Sequence, residues 1–340
     1  MDNRQTGVRG LVFGGLMAAL AVVCALVPFL SVFMPIPLTM AYMRYGGRIA
    51  TMAGIVAVLF CALFFGPIQA FLLLVPAGIL PGLAFGFGFS RKLRPITISL
   101  IAVAVFFASF GLDYVVTRAL VLGGQDPIAA MLEAPEVQRL LDTYLGAYEQ
   151  RLRDLQPTTE AQQQAVERAL SQMTEIRENI VEVAWILMPS SLFLAGVVTT
   201  WFNYLLCRWI LPRFGFEIPA PTPFGDLRLP LWLTWVLVAA LFGASFVGDS
   251  LLNAPLWARA IINLANPLLY IFGVAGMAVA YGFLRRKGLD KPVAVLLTLA
   301  VLLMFGQWGL YFYLMLAMWD TVFDFRGLGH GMFNRPRGST

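Results

Sequence analysis

The chain is poor in charge. Only 13% of its 340 residues are Asp, Glu, Lys or Arg, against 59% apolar residues, and the mean hydropathy is +0.77. Soluble domains carry roughly a quarter charged residues, so a water-soluble globule is excluded. Histidine is nearly absent, with His330 the single one. With only three cysteines beside it, no His/Cys cluster with metal-ligand spacing exists, and neither metal nor cofactor is expected. Cys24, Cys61 and Cys207 all fall inside apolar runs. Buried free thiols are ordinary there, and no disulfide framework is implied. The sequence contains neither a phosphate-binding Gly-x-x-x-x-Gly-Lys-Ser/Thr loop nor a Gly-x-Ser-x-Gly elbow. Were the chain part of an ATP-driven machine, the ATPase would be another chain.

Two carboxylates in apolar stretches, Asp113 and Asp249, raise the question of an intramembrane aspartyl protease. That chemistry needs two carboxylates sharing a proton at close range. Their contexts, Gly111-Leu112-Asp113-Tyr114 and Val247-Gly248-Asp249-Ser250, lack the Gly-x-Gly-Asp pattern. A serine triad fails because His330 lies beyond the apolar runs. No enzyme is expected, and charge asymmetry here does not signal nucleic acid.

What is present is apolar sequence in membrane-length runs. A helix needs roughly 20 apolar residues to cross a bilayer core. Such segments fall at about 9–28, 32–44, 49–66, 68–89, 96–122, 183–211, 231–247, 259–284 and 293–318. The first has basic flanks like a signal peptide but no clear small-x-small cleavage site, and reads as a retained span. The expected fold is all-α: a polytopic helical membrane protein with about 8–9 spans and an extramembrane helical hairpin.

Charge is divided unevenly. Between Asp126 and Glu182 there are eleven acidic residues and five arginines, a net of −6, which leaves +11 for the rest of the chain. Lys and Arg accumulate in short cytoplasmic loops. With the N-terminus cytoplasmic and 32–44 counted as a short crossing, the clusters Arg4/Arg9, Arg44/Arg48, Arg91/Lys92/Arg94, Arg208/Arg213 and Arg285/Arg286/Lys287/Lys291 all fall inside. Residues 126–182 then fall outside. Past the sixth span the count is uneasy. Three more spans put the tail, with Arg326, Arg335 and Arg337, outside in weak violation of the rule, unless Asp249–Ala265 is re-entrant or interfacial. Asn266-Pro267 reads as an N-cap followed by proline at the first helical position, a place for a helix to restart.

The expected domains are five membrane segments in 1–125, the hairpin 126–182, a sixth span in 183–213, further membrane helices in 214–318 and a tail in 319–340. In the hairpin, Asp126-Pro127 opens a helix with the apolar stripe Val137, Leu140, Leu141, Tyr144, Tyr148, Leu152 and Leu155. Gln156-Pro157-Thr158 breaks it. Thr159 and Gln162 have capping-box spacing. A second stripe, Val166, Leu170, Met173, Ile176, Ile180, Val183 and Leu187, has a period near 3.5 and runs into the sixth span. Two readings stand: helices that bury each other, or a lid or docking arm above the membrane.

Polar groups inside spans are costly and are functional candidates by default. Asp113 lies near the outer end of the fifth span, and Arg118 follows about 7.5 Å further along the axis. They pair with each other, snorkel to the interface, or form an outer polar pocket in which Arg118 meets an anionic group. Tyr114 and Trp185 would wall that pocket or sit in an interfacial belt. Gln69, just inside the Gly66-Pro67 turn, completes the candidate ligand-binding set. Asn203, Asn253, Asn263, Asn266 and Gln307 read as interhelical glue.

The first span carries Gly14, Ala18, Ala21 and Ala25 on one helical face. Such a stripe admits a close helix, from the same chain or from a partner. A short proline-led second segment follows (Pro35-Ile36-Pro37-Leu38), then a third ending in Phe65-Gly66-Pro67, a fourth span, a basic turn and a sixth span returning inside. This order resembles the six-helix substrate-binding (S) subunits of energy-coupling-factor vitamin transporters. In that family an Ala-x-x-x-Ala stripe on the first helix docks on the energising subunit, and Ala21-Val22-Val23-Cys24-Ala25 matches it as written. The whole chain resembles the YybS-like family of bacterial membrane proteins, grouped with those S subunits. Asp320-Thr321-Val322-Phe323-Asp324-Phe325-Arg326 matches that family's Asp-x-x-x-Asp-Phe-Arg ending. The 126–182 insertion and the spans after about Arg213 depart from the vitamin transporters.

The resemblance implies a subunit of the bacterial plasma membrane that captures a small polar metabolite. Its stripe Gly14, Ala18, Ala21 and Ala25 would meet a coupling subunit and ATPase. The other reading is a scaffold, similar to the cell-shape protein MreD, whose hairpin recruits envelope proteins.

Overall fold

A computed structural model of the protein describes residues 3–155, 157, 159–246 and 252–326. Gln156, Thr158, Asp249, His330, Arg335 and Arg337 lie outside the described residues. The fold is all-α, with no strand among the described residues. Among the described residues, six helices are long and apolar enough to cross a membrane: Gly7–Leu26, Gly47–Phe65, Pro67–Ser90, Pro95–Val121, Ile180–Phe214 and Leu256–Arg286. Leu231–Ala244 and Lys291–Phe305 are shorter apolar helices. The protein is a polytopic helical membrane protein.

The chain divides into two compact units, residues 1–143 with 192–221 and residues 144–191 with 222–340. The first unit contains α1 (Asn3–Leu26), α2 (Pro35–Tyr45), α3 (Gly47–Phe65), α4 (Pro67–Leu74), α5 (Leu80–Ser90) and α6 (Pro95–Val116). Its periphery holds the short α7 (Pro127–Leu132) and the start of α8 (Pro135–Asp154). Proline opens α2, α4, α6 and α7, the position where its missing N–H costs nothing. The C-terminal half of α10 (Ile180–Ile210) completes the unit.

Segment 32–44, expected as a short crossing, contains the 11-residue α2, whose residues from Pro35 to Ala41 are all buried. A polar backbone at membrane depth is tolerable when it is packed in protein this way. What lets α2 in is a glycine row on the neighbouring segment. Gly78, Gly82 and Gly86 recur every four residues, as do Met34, Leu38 and Tyr42 opposite them. A Cβ at Gly82 would stand 2.8 Å from the Leu38 Cβ, and one at Gly86 2.4 Å from the Tyr42 Cβ. Those separations are below any real contact, so only glycine allows this approach. Pro76 lies in a π-turn (Val75–Ile79) joining α4 to α5, which absorbs its lost hydrogen bond.

The small stripe of α1 is also internal. Gly14, Ala18, Ala21 and Ala25 are buried, and the last three share a core cluster with Ala53, Ala57 and Cys61 of α3. A Cβ at Gly14 would touch Ile49 at 3.0 Å. The large residues Val8, Leu11, Val12, Leu16 and Leu20 face outward. The docking role expected of the stripe is therefore corrected: α3 already covers it.

The second unit contains the rest of α8, α9 (Glu160–Glu178), the first turns of α10, and α11 (Leu231–Ala244), α12 (Leu256–Arg286), α13 (Lys291–Phe305) and α14 (Gln307–Phe323). Two expectations fail here. Asn266-Pro267 starts no helix, because α12 runs unbroken through Pro267. Segment 293–318 is not one span but α13 and α14, turned at Gly306, whose φ of 53° suits glycine. α14 crosses α12 very closely, since a Cβ at Gly276 would lie 1.8 Å from the Tyr313 carbonyl oxygen.

In the 126–182 region, the Asp126 side chain caps α7 by accepting from the Ile128 amide, and Thr159 caps α9 by accepting from the Gln162 amide. Neither α8 nor α9 has a buried residue. The α8 stripe stands open, with Leu140, Tyr148 and Leu155 exposed and Tyr144 72% exposed.

Candidate functional site

Of the five residues expected to form an outer pocket, four lie in the first unit. Asp113 is half-buried on α6. Arg118 lies in a π-turn (Thr117–Val121) that ends the span, and its Nε donates to the Gly124 carbonyl at 3.1 Å. The arginine thus closes its own turn and forms no ion pair with Asp113. Tyr114 is half-buried beside Asp113, and Gln69 is exposed on α4, which packs against the π-turn. Trp185 belongs to the second unit.

There Trp185 lines an open recess with Glu182, Pro189, Arg259 and Asn263. The recess lies beside a proline inside a helix. Pro189 sits inside α10 and has no N–H for the fourth carbonyl back. In a regular helix the next amide, Ser190 N–H, would bond Ile186 C=O. Here the Asn263 amide of α12 reaches both groups. Its Oδ1 accepts from Ser190 N–H at 3.0 Å, and its Nδ2 donates to Ile186 C=O at 2.7 Å. The second N–H of Nδ2 serves the Arg259 carbonyl at 2.9 Å. Asn266 adds a bond from its Nδ2 to Ser190 Oγ at 3.1 Å. Arg259 donates to the Ala254 and Leu252 carbonyls and lies 3.9 Å from Glu182. These side chains hold two helices together, which matches their reading as glue. Asn203 and Gln307 bond within their own helices.

A different polar site lies where α14 ends. Asp320 and Arg326 pair at 2.7 Å with side chains only 8% and 3% exposed. Arg326 Nε and Nη2 both reach Asp320 Oδ2, while Nη1 takes the Gly225 carbonyl and Nη2 the Leu227 carbonyl. The short segment Phe224–Asp226 is thereby tied to α14. Arg286 at the end of α12 joins the knot through the Arg326 carbonyl and lies 3.5 Å from Asp226. A cavity of about 310 Å³ opens beside the pair, lined by Leu227–Leu231, Ala275, Val279, Ala317, Asp320, Thr321, Asp324 and Arg326.

The family described as "Predicted membrane protein (DUF2232)" matches residues 15–321. The chain belongs to it. "Uncharacterized protein YybS" of Bacillus subtilis (strain 168) is 23% identical over 306 residues, which is 87% of this chain and 90% of that protein. No solved structure matches. The DUF2232 match takes in α1 through nearly all of α14, including Asp320 and Thr321, and stops before Asp324 and Arg326. The Asp-x-x-x-Asp-Phe-Arg ending thus acquires a structural meaning. Its first Asp and its Arg are the buried pair, and its second Asp turns the chain at φ 49°.

In sequence alone these residues stand as a motif with no site attached. The available signal was two opposite charges six apart at the end of an apolar helix. Such charges are costly at the end of a span unless they find each other.

Proposed function

We propose that the protein captures a small polar metabolite in the bacterial plasma membrane, on a frame like that of the energy-coupling-factor S subunits. The carrying observation is that the first five membrane segments, including the buried short α2, cluster as one compact unit with the C-terminal half of the sixth. The order of those segments is S-subunit-like. The basic clusters favour a cytoplasmic N-terminus and an outer 126–182 segment. A coupling subunit and ATPase would have to engage a surface other than the α1 stripe. Thermal-stability screening of the purified protein against vitamins, nucleobases and amino acids tests capture. A ligand-induced rise in melting temperature is expected. No stabilisation by any of these classes would sink the reading.

One observation favours the envelope-scaffold reading, namely the open apolar row of α8. Photo-crosslinkers at Gln163 and Arg168 would capture envelope proteins in cells under that reading, and nothing under simple capture.

A further inference from the structure

We infer that the groove between α12, α13 and α14 holds an anionic phospholipid, with its phosphate at Lys287 and Arg286 and an acyl chain laid along the helices. This goes beyond metabolite capture and stands without it. All three helices belong to the second unit.

The first ground is depth. The groove has a volume of about 960 Å³ and is walled by Val279 and Phe283 of α12, Leu297 and Val301 of α13, and Phe312 and Leu316 of α14. α12 ends at Arg286, α13 begins at Lys291 and α14 ends at Phe323. Arg286 donates to the Arg326 carbonyl, which brings the ends of α12 and α14 together. At 1.5 Å per residue, Val279 lies about 10 Å from that end of its helix, Val301 about 15 Å and Phe312 about 16 Å. Half of a bilayer core is also about 15 Å. The groove therefore runs the depth of one leaflet, which is the reach of an acyl chain. At roughly 30 Å³ per water it has room for about thirty non-hydrogen atoms, a chain with its glycerol phosphate.

The second ground is what the walls offer at depth. The Tyr313 hydroxyl donates to the Thr298 carbonyl at 2.5 Å, and Thr298 Oγ1 donates to the Ala294 carbonyl at 2.8 Å. Both hydroxyl protons are thus spent within the protein. A polar metabolite would lose its water there without gaining a donor, whereas hydrocarbon loses nothing.

The third ground is charge confined to the mouth. Arg326 lines the groove but is spent on Asp320. Arg286 lies 3.5 Å from Asp226 and keeps its side chain 40% exposed. Lys287 is exposed and forms no hydrogen bond or ion pair among the described residues. Its ammonium stands 5.5 Å from the centre of the Phe283 ring, so a wall residue of the groove sets it at the rim. Arg285 and Lys291 flank the rim, with Asp290 the one acid among them. A basic rim above an apolar groove between helices matches a phosphate above an acyl chain. A zwitterionic lipid would bring its own cation against that rim, and an anionic one does not.

The full-length protein in nanodiscs of equal parts phosphatidylglycerol and phosphatidylcholine, with the same acyl chains, provides the test. Native mass spectrometry reads which lipid stays bound, and selective retention of phosphatidylglycerol is expected. Lys287→Gln breaks no hydrogen bond or ion pair among the described residues. It should lower that preference by about fivefold, the effect of one cation at a lipid surface. Lys291 is exposed at the same end but outside the lining, so Lys291→Gln should leave the preference unchanged. In detergent, isothermal titration with glycerol 3-phosphate should show no binding, because the chain is part of what is held. The inference is overturned if phosphatidylglycerol is retained no better than phosphatidylcholine, or if Lys287→Gln retains it as wild type does. It is equally overturned if Lys291→Gln lowers the preference as much, which would mean diffuse surface charge. Binding of glycerol 3-phosphate alone would also overturn it, by making the site one for soluble anions.

Discussion

Replacing Asn263 by leucine tests the claim that this side chain repairs the break at Pro189. The substitution keeps the branched shape of the side chain and replaces both polar ends of the amide with methyl groups. Two bonds to α10 disappear, one to Ser190 N–H and one to Ile186 C=O. Interhelical hydrogen bonds in membranes contribute roughly 0.6 to 1.7 kcal/mol each, so the two together contribute about 1–3 kcal/mol. The groups left behind are backbone, and lipid cannot satisfy them. The cost should therefore fall at the upper end, about 2–3 kcal/mol. The informative partner is Pro189→Ala. With the ring gone, α10 can straighten and Ser190 N–H can return to Ile186 C=O, so Asn263 becomes dispensable. In the Pro189→Ala background, Asn263→Leu should cost under about 1 kcal/mol, a coupling of about 1–2 kcal/mol. Equilibrium unfolding of all four proteins in mixed micelles of mild detergent and dodecyl sulfate measures it. A coupling below about 0.5 kcal/mol, or an Asn263→Leu protein as stable as wild type, would refute the repair.

Other outcomes follow from the same packing. Gly276→Ala puts a methyl group against the Tyr313 carbonyl and Gly86→Ala puts one against Tyr42. Each should exceed the usual overpacking penalty of about 1–3 kcal/mol, visible as lost monodispersity in size-exclusion chromatography. Ala21→Trp should abolish folded expression, since Ala21 is fully buried against α3; a folded Ala21→Trp protein that had lost only a partner would restore the docking role of α1. Outside the membrane, the hydrogen bond and charge of Lys92 hold the Glu217 carboxyl below its usual 4.5. That contact is present above pH 4.5 and is lost as pH falls through the lowered value. Lys92→Ala should return the Glu217 midpoint upward to about 4.5 in a carboxyl NMR titration.

Much of the membrane fold was legible because apolar run length is a one-dimensional signal. Segments near 9–28, 49–66 and 96–122 became helices close to where they were expected. Runs that hide a turn were not legible: 293–318 is apolar throughout, and only the conformation of Gly306 reveals two helices. Asn266-Pro267 misled for the converse reason. Local capping chemistry favoured a helix start, but tertiary packing of Asn266 on Ser190 took the side chain elsewhere. The glycine row Gly78, Gly82 and Gly86 was as readable as the α1 stripe, yet only contact geometry shows that it seats α2. The site residues were the least legible. An intramembrane charge announces that it needs a partner, not which one. Arg118 found a carbonyl of its own turn, while the buried pair formed between Asp320 and Arg326, in a stretch that reads in sequence only as a motif.

The claim that this membrane protein serves small-molecule capture is tested most directly by affinity purification from native membranes with identification of what comes with it. Capture coupled to energy predicts a coupling subunit and an ATPase in stoichiometric amounts. Recovery of cell-wall or division proteins, with no ATPase, would contradict it and favour the envelope scaffold.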